Sequence, residues 1–359
     1  MKTSIFCGGS GKRFWPLSRR KRPKQLLPLF DGRSTLQVTF DRLTPVVPPG
    51  DIFISTIFPY FKEIKRQLPK LPKENLIGEP ALRDLGPAVA LNAAITAKVA
   101  SPDEPFAILW SDHILKHEKR FRGMLKMAEE IISAGEKQIV FFGCAPRFAN
   151  ENLGWIGLDG KPNEREEVSR LGLLSFKYRP EKKEAEKFFK SGQYTWNLGY
   201  WVSTPRYILS AFKEHEPDIY HAVTDIVRIW GKSNYREVLE ELYPKLEKIS
   251  FDDAVIEKLD FSDATVLVAD LGWADIGNPY AFKESVCGDK NLFMGEVIDS
   301  GSEDSFVYNN SGQLVTTIGL EGMVVIATKD AFLVCGKDKA KEIKRIVESL
   351  GEKGRTDLI

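Results

Sequence analysis

Cysteine and histidine are both scarce, with four of each in 359 residues. Cys7, Cys144, Cys287 and Cys335 lie far apart and form no CxxC pair. That argues against a disulfide framework or a zinc site and points to reduced thiols in the cytoplasm. His113 and His117 stand at i, i+4 spacing, but no glutamate follows the first as in HExxH, so no histidine metal site is expected. An excess of charge is also missing: 51 Lys and Arg face 50 Asp and Glu, a formal net charge of +1. A broad basic surface for nucleic acid or an anionic membrane is therefore not expected. No apolar run approaches the roughly 18 residues that cross a bilayer, and the N-terminus lacks the pattern of a signal peptide. Low-complexity linkers and strong internal repeats are absent too.

What is there is alternation. TSIF, DIFISTI, FAILW and KQIVFFG read as buried strands, and FPYFKEIKRQL, GPAVALNAAITAKVA and FRGMLKMAEEIISAGE as the helices between them. This order predicts an α/β fold with a mixed, mostly parallel sheet covered by helices. KPNEREEVSR reads as a charged hairpin or loop, and PEKKEAEKFFKSG as an amphipathic helix ended by glycine. From about residue 285 short β-branched segments follow one another: GEVIDSG, SFVYNN, QLVTTIG, MVVIAT and AFLVCG. They predict a compact β module over 285–359, after an α/β domain over 1–284, closed by a basic helix, KDKAKEIKRIVESLGEK. A hexapeptide β-helix period is only hinted at.

One stretch packs three glycines and seven basic residues with no acid among them: CGGSGKRFWPLSRRKRPKQLLPLF, residues 7–30, directly after the first predicted strand. It is not a Walker P-loop, because Arg13 follows Gly11-Lys12 and Phe6 holds the place of the first glycine. Nor is it a dinucleotide fingerprint, since Phe14 stands where a third glycine is needed. Glycines after a strand let backbone N–H groups approach anionic oxygens, while Arg13 binds oxygens as a fork and Lys24 adds a point charge. On composition alone, a glycine turn followed by a solvated basic face fits equally well.

The order of the residues carries more. Gly8, Gly9, Gly11, Arg13, Trp15, Pro16, Leu17, Ser18 and Arg19, then Pro23, Lys24 and Gln25, match the pattern GGxGxRxWPLSR…PKQ. In this the chain resembles the mannose-1-phosphate guanylyltransferase family of sugar-phosphate nucleotidyltransferases. The resemblance implies a Rossmann-like nucleotide-diphospho-sugar transferase fold, with Gly8, Gly9 and Gly11 wrapping the GTP phosphates and Arg13 and Lys24 as charged clamps.

The likeness continues along nearly the whole chain. GEPALRDLGPAVALNAA resembles the family's EPxxRNTAPAI segment, which reads guanine; Glu79, Pro80, Arg83, Pro87 and Ala88 match, while Asp84, Leu85 and Gly86 depart. Without the resemblance, Glu79 and Arg83 read equally as caps of the following helix. FAILWSDHIL resembles the family's LPADH segment, which implies that Asp112 holds catalytic Mg²⁺; an aspartate after a strand is otherwise most often a helix N-cap. LGWADIG resembles GWSDVG and implies Asp275 as the second metal ligand.

The sugar side matches less closely. ENLGWIG and YTWNLGYWV resemble the family's sugar-contacting segments and imply Gly154 and Asn197 there. SFDDAVIEK resembles SIDYAVMEK and adds Asp252, although Asp252 and Glu257 also suit the start of a helix. At FKYRP the family's F-x-E-K-P becomes Tyr178 and Arg179. Arginine keeps the phosphate-binding charge, whereas tyrosine offers no charged acceptor for a sugar hydroxyl. The C-terminal stretch resembles the family's short left-handed β-helix and terminal helix. It stops before the isomerase domain of longer members, so no isomerase activity is expected.

The expected reaction is transfer of GMP from GTP to a hexose 1-phosphate, mannose 1-phosphate first, with Mg²⁺ as cofactor and Arg13, Lys24 and Asp112 as the catalytic set. Two alternatives stay open: another sugar or nucleotide, and a non-catalytic regulatory homologue that binds nucleotide sugar. Exposed β segments near the C-terminus favour a homodimer, because unpaired edges seek cover.

Overall fold

The computed structural model describes residues 1–359 except Ser10 and Glu164. One position of the glycine loop and one of the charged 161–170 connection thus lie outside the described residues. The chain divides into two compact units. The first comprises Met1–Gly8, Phe40–Ser111 and Leu115–Trp273; the second comprises Gly9–Thr39, Asp112–Ile114 and Ala274–Ile359.

Among the described residues the first unit is built on nine strands: β1 (Lys2–Phe6), β2 (Ile52–Ile57), β3 (Leu76–Glu79), β4 (Phe106–Trp110), β5 (Ile139–Cys144), β6 (Gly154–Leu158), β7 (Ser169–Tyr178), β8 (Tyr194–Ser203) and β9 (Ala264–Val268). Their order in the sheet is β3-β2-β1-β4-β8-β5-β9-β7-β6. β3, β2, β1 and β4 run parallel, as do β5 and β9. β8 lies antiparallel between β4 and β5, and β7 pairs antiparallel with β9 and β6.

The strands read from sequence, β1, β2, β4 and β5, are mostly apolar runs, with small hydroxyl residues in β1 and β2, buried on both faces as a helix-covered parallel sheet requires. Helix α1 (Leu85–Val99) is buried over most of its length. Its alanines let it pack closely against the helices Pro205–His215 and Pro217–Arg228. The predicted amphipathic helix covers Lys182–Ser191 and stops at Gly192, whose φ of 65° suits only glycine comfortably.

In the second unit, Phe14, Trp15 and Leu17 of the signature stretch share one apolar core with Ile276, Phe282, Phe306, Val324 and Ile326. Val297 pairs with Val315, Glu303 with Glu321 and Phe306 with Val324, all in parallel. This constant offset of three hexapeptides stacks the short strands into coils, the geometry of a β-helix. Asp304 fastens the module: it accepts from Lys337 at 2.6 Å, from Tyr280 and from the fully buried Lys283. The predicted basic helix opens instead with 3₁₀ turns over Lys337–Glu342 and becomes α-helical over Ile343–Glu352. Ile343 and Val347 enter the unit's core.

Candidate active site

The glycine loop is tied down at Gly11 from within the second unit. Gly9 and Gly11 have φ of 94° and 58°, a backbone that favours glycine. The Ser18 hydroxyl donates to the Gly11 carbonyl at 2.6 Å, and Phe14 N–H donates to the same oxygen at 2.8 Å. A Cβ on Gly11 would stand 2.7 Å from the Lys24 nitrogen, so glycine is required for this close approach. Arg13 is exposed, and its Nη1 lies 3.4 Å from where a Cβ on Gly277 would stand. Gly8 belongs to the first unit and is also exposed.

Asp112 and Asp275 come together in this same unit. His113–Ile114 and Ala274–Asp275 form a short antiparallel ladder in which Asp275 is opposite His113. Lys24 Nζ lies 2.7 Å from Asp112 Oδ2 and donates to the Ile276 carbonyl at 2.8 Å. Burial works against the Asp112 charge, but the Lys24 ammonium, with His113, holds the carboxyl below its ordinary range. Lys24, Asp112, Asp275 and the Arg13–Gly277 contact thus gather from three distant parts of the sequence. Carboxylate and carbonyl oxygens converging on a cation are the donor chemistry that a hard divalent ion takes. Among the described residues no group of three or more His, Cys, Asp or Glu side chains forms a metal cluster.

In the first unit the sugar-side residues line up across three strands. Gly154 of β6 is in register with Asn197 of β8 on one side and Tyr178 of β7 on the other. A Cβ at Gly154 would come within 2.9 Å of the Phe176 ring and 3.2 Å of the Asn197 side chain, so this crossing too needs glycine. Arg179 has φ of 45° and folds its guanidinium over the Tyr178 ring at 4.7 Å. Burial, reinforced by the nearby Asp252 charge, pushes the Tyr178 phenol up to about 12. Burial likewise pushes the Asp252 carboxyl up to about 7. Ser250 caps the turn that carries Asp252, and the carboxylate of Glu257 accepts from the Tyr178 N–H at 2.9 Å.

The base-side residues are mostly interior. Glu79 is buried, and its two oxygens accept from the hydroxyls of Tyr243 at 2.8 Å and Ser55 at 3.3 Å. Burial raises this carboxyl to about 7, with the two hydroxyls pulling the other way. Arg83 donates to the Pro244 carbonyl, and Pro87 and Ala88 are buried in the first turn of α1. Asp84, by contrast, is exposed. It caps α1 by accepting from Leu85 N–H at 2.9 Å. Its φ of 63° with ψ of −166° lies in a region that costs a non-glycine residue about 1–3 kcal/mol.

A family model described as nucleotidyl transferase matches residues 2–291. The chain belongs to the nucleotidyl transferase family. A second model, described as a MannoseP isomerase/GMP-like beta-helix domain, matches residues 295–350. Mannose-1-phosphate guanylyltransferase of Escherichia coli K12 is 34% identical over 98% of this chain and 73% of its own length. The Salmonella typhimurium enzyme of the same name gives the same identity and coverage. A crystal structure described as mannose-1-phosphate geranyltransferase from Thermus thermophilus superposes with a TM-score of 0.84 at 30% identity. That match covers 98% of this chain and all of the other.

Several parts of this candidate site carry no signal in sequence. The Ile276 carbonyl is a main-chain group, which any residue would supply. Tyr243 reaches Glu79 across a long stretch of chain, with no motif spacing to mark the pair. The strain at Asp84 is a backbone property, and only its departure from the family's asparagine hinted at something unusual there.

Proposed function

We propose that the protein is a mannose-1-phosphate guanylyltransferase, transferring GMP from GTP to α-D-mannose 1-phosphate and releasing pyrophosphate. The observation that carries this reading is the gathering of Lys24, Asp112 and Asp275, with Lys24 packed closely against Gly11 of the glycine loop. The names of relatives along nearly the whole chain support the choice of substrates.

An oxygen of the sugar phosphate attacks the α-phosphorus of GTP, the bond to the β-phosphate oxygen breaks, and pyrophosphate leaves with its electron pair. The attacking group is already an anion, so the protein needs no strong base. It must hold two mutually repelling phosphates in line and neutralise them. Gly8, Gly9 and Gly11 offer backbone N–H groups, and Arg13 and Lys24 supply positive charge. Glu79, Arg83, Pro87 and Ala88 form the base-side segment, with Glu79 bracing it from inside. Asn197, Gly154, Tyr178, Arg179 and Asp252 receive the sugar phosphate. Asp112 and Asp275 would hold Mg²⁺, which when bound supplies further charge neutralisation at phosphate oxygens.

Tyr178 favours a second reading, a different hexose 1-phosphate as acceptor, because a phenol replaces a hydroxyl-binding carboxylate. Pyrophosphate release with GTP and mannose 1-phosphate, run against a panel of nucleotides and sugar 1-phosphates with and without Mg²⁺, tests both readings. No turnover with any pair would overturn them.

We further propose a homodimer joined through the β-helix, where Ile298 and Ile318 are 60% and 81% exposed and Phe332 and Val334 face outward. Light scattering on the purified protein checks this, and a monomer at micromolar concentration would reject it. Cys7, Cys144, Cys287 and Cys335 are all free thiols. Among the described residues no helix is long and apolar enough to cross a membrane. Both observations support a cytoplasmic location.

A further inference from the structure

Lys24 occupies an unusual place for a phosphate-binding lysine. Its ammonium sits 2.7 Å from Asp112 Oδ2 and 2.8 Å from the Ile276 carbonyl oxygen. Its side chain is 15% exposed. One of the two oxygens is charged, the other is a main-chain dipole, and both converge on one cation. Hard divalent ions take oxygen ligands of both kinds, at distances shorter than an ammonium contact. A metal ion on Asp112 Oδ2 and the Lys24 ammonium therefore cannot share this spot, both for lack of room and because like charges at such separation repel strongly.

The main chain of Lys24 packs closely against Gly11. Its four-carbon stem is the flexible part, and it carries the charge as a compact point. Leaving Asp112 costs the ammonium an ion pair, and another anionic partner would replace it. A nucleotide's phosphates over the glycine loop are such a partner.

We propose that Lys24 is the place-holder for the divalent cation in the ligand-free protein, and that the Ile276 carbonyl is a further oxygen ligand of that cation's site. This rests on the reading of Asp112 as a metal ligand. Cation binding and the move of Lys24 onto phosphate then favour one another, so metal and nucleotide bind with positive coupling, and the coupling is reciprocal. Without nucleotide the lysine keeps the carboxylate neutralised and the metal weakly held.

The test is direct Mn²⁺ binding to the full chain without nucleotide, read from loss of the free-ion electron paramagnetic resonance signal. Lys24→Met and Lys24→Gln are each expected to bind Mn²⁺ roughly tenfold tighter than the unmodified protein, within the usual range for coupled sites. Adding Asp112→Asn to either is expected to abolish the gain. Thermal melts show that each variant is folded, and two neutral replacements guard against one that is not. Unchanged or weaker Mn²⁺ binding in both would overturn the proposal, as would a gain that survives Asp112→Asn. If the unmodified protein takes up no Mn²⁺ beyond that chelated by GTP itself, the metal reading falls and this inference with it. Metal-dependent turnover without a gain in the lysine variants would overturn this inference alone.

Discussion

Asp275 stands opposite His113 in an antiparallel ladder, which brings it beside Asp112 although a long stretch of chain separates the two. Asp112→Asn is nearly isosteric and leaves the ladder's main chain unchanged. It is expected to lower kcat by about 10²–10³-fold, the usual loss when one charge-stabilising group is removed, with little change in Tm. Asp275→Asn should behave alike. Pyrophosphate release at saturating substrates measures both, and an unimpaired Asp112→Asn enzyme would remove that residue from the reaction.

Gly11→Ala should impair catalysis by misplacing Lys24. The new methyl group would meet the Lys24 nitrogen at 2.7 Å on a backbone with φ of 58°. Either the loop or Lys24 must shift. A displacement of this size is expected to cost on the order of a hundredfold in kcat/KM. The comparison that decides is Gly32→Ala, also at positive φ but with open space around it, which should keep full activity.

Arg179→Ala should separate the two substrates. If Arg179 binds the sugar phosphate, losing that charge-assisted contact raises KM for the hexose 1-phosphate about tenfold or more. KM for the nucleotide should hold. Initial-rate kinetics with each substrate varied in turn gives both numbers, and a rise confined to the nucleotide would move Arg179 to the other side of the reaction.

Glu79 gives a stability test. Its carboxyl is raised to about 7 in the folded protein, against about 4.3 for an exposed glutamate. The fold therefore binds this proton more tightly than the unfolded chain does. The resulting stabilisation is complete below the ordinary carboxylate pKa and is lost as pH rises towards about 7. Glu79→Gln does not titrate and keeps an acceptor for Tyr243. Its Tm relative to the unmodified protein should rise in the variant's favour across that interval. Parallel Tm curves from pH 4 to 8 would contradict the burial-driven shift.

The amino-acid sequence alone determined the elements whose signal is local. β1, β2, β4 and β5 are short, mostly apolar runs, α1 and Lys182–Ser191 have helical composition, the latter with a glycine stop, and the β segments after residue 292 are separated by turn residues. The signature from Gly8 to Gln25 is a long ordered string, so its resemblance could be read without coordinates. β6 and β8 escaped notice because Gly154 opens the one and Asn197 and Gly199 interrupt the other, and Gly154 and Asn197 serve the cross-strand row rather than the strand itself.

Only the tertiary structure decided which oxygens Lys24 bonds, that Asp275 lies opposite His113, and that Glu79 is locked by Ser55 and Tyr243. These are contacts between groups remote in the chain, and two of them run through main-chain atoms that every residue possesses. Side-chain identity specifies what a group is able to do. Which partner it meets depends on the packing of the whole unit around it, and no local pattern encodes that.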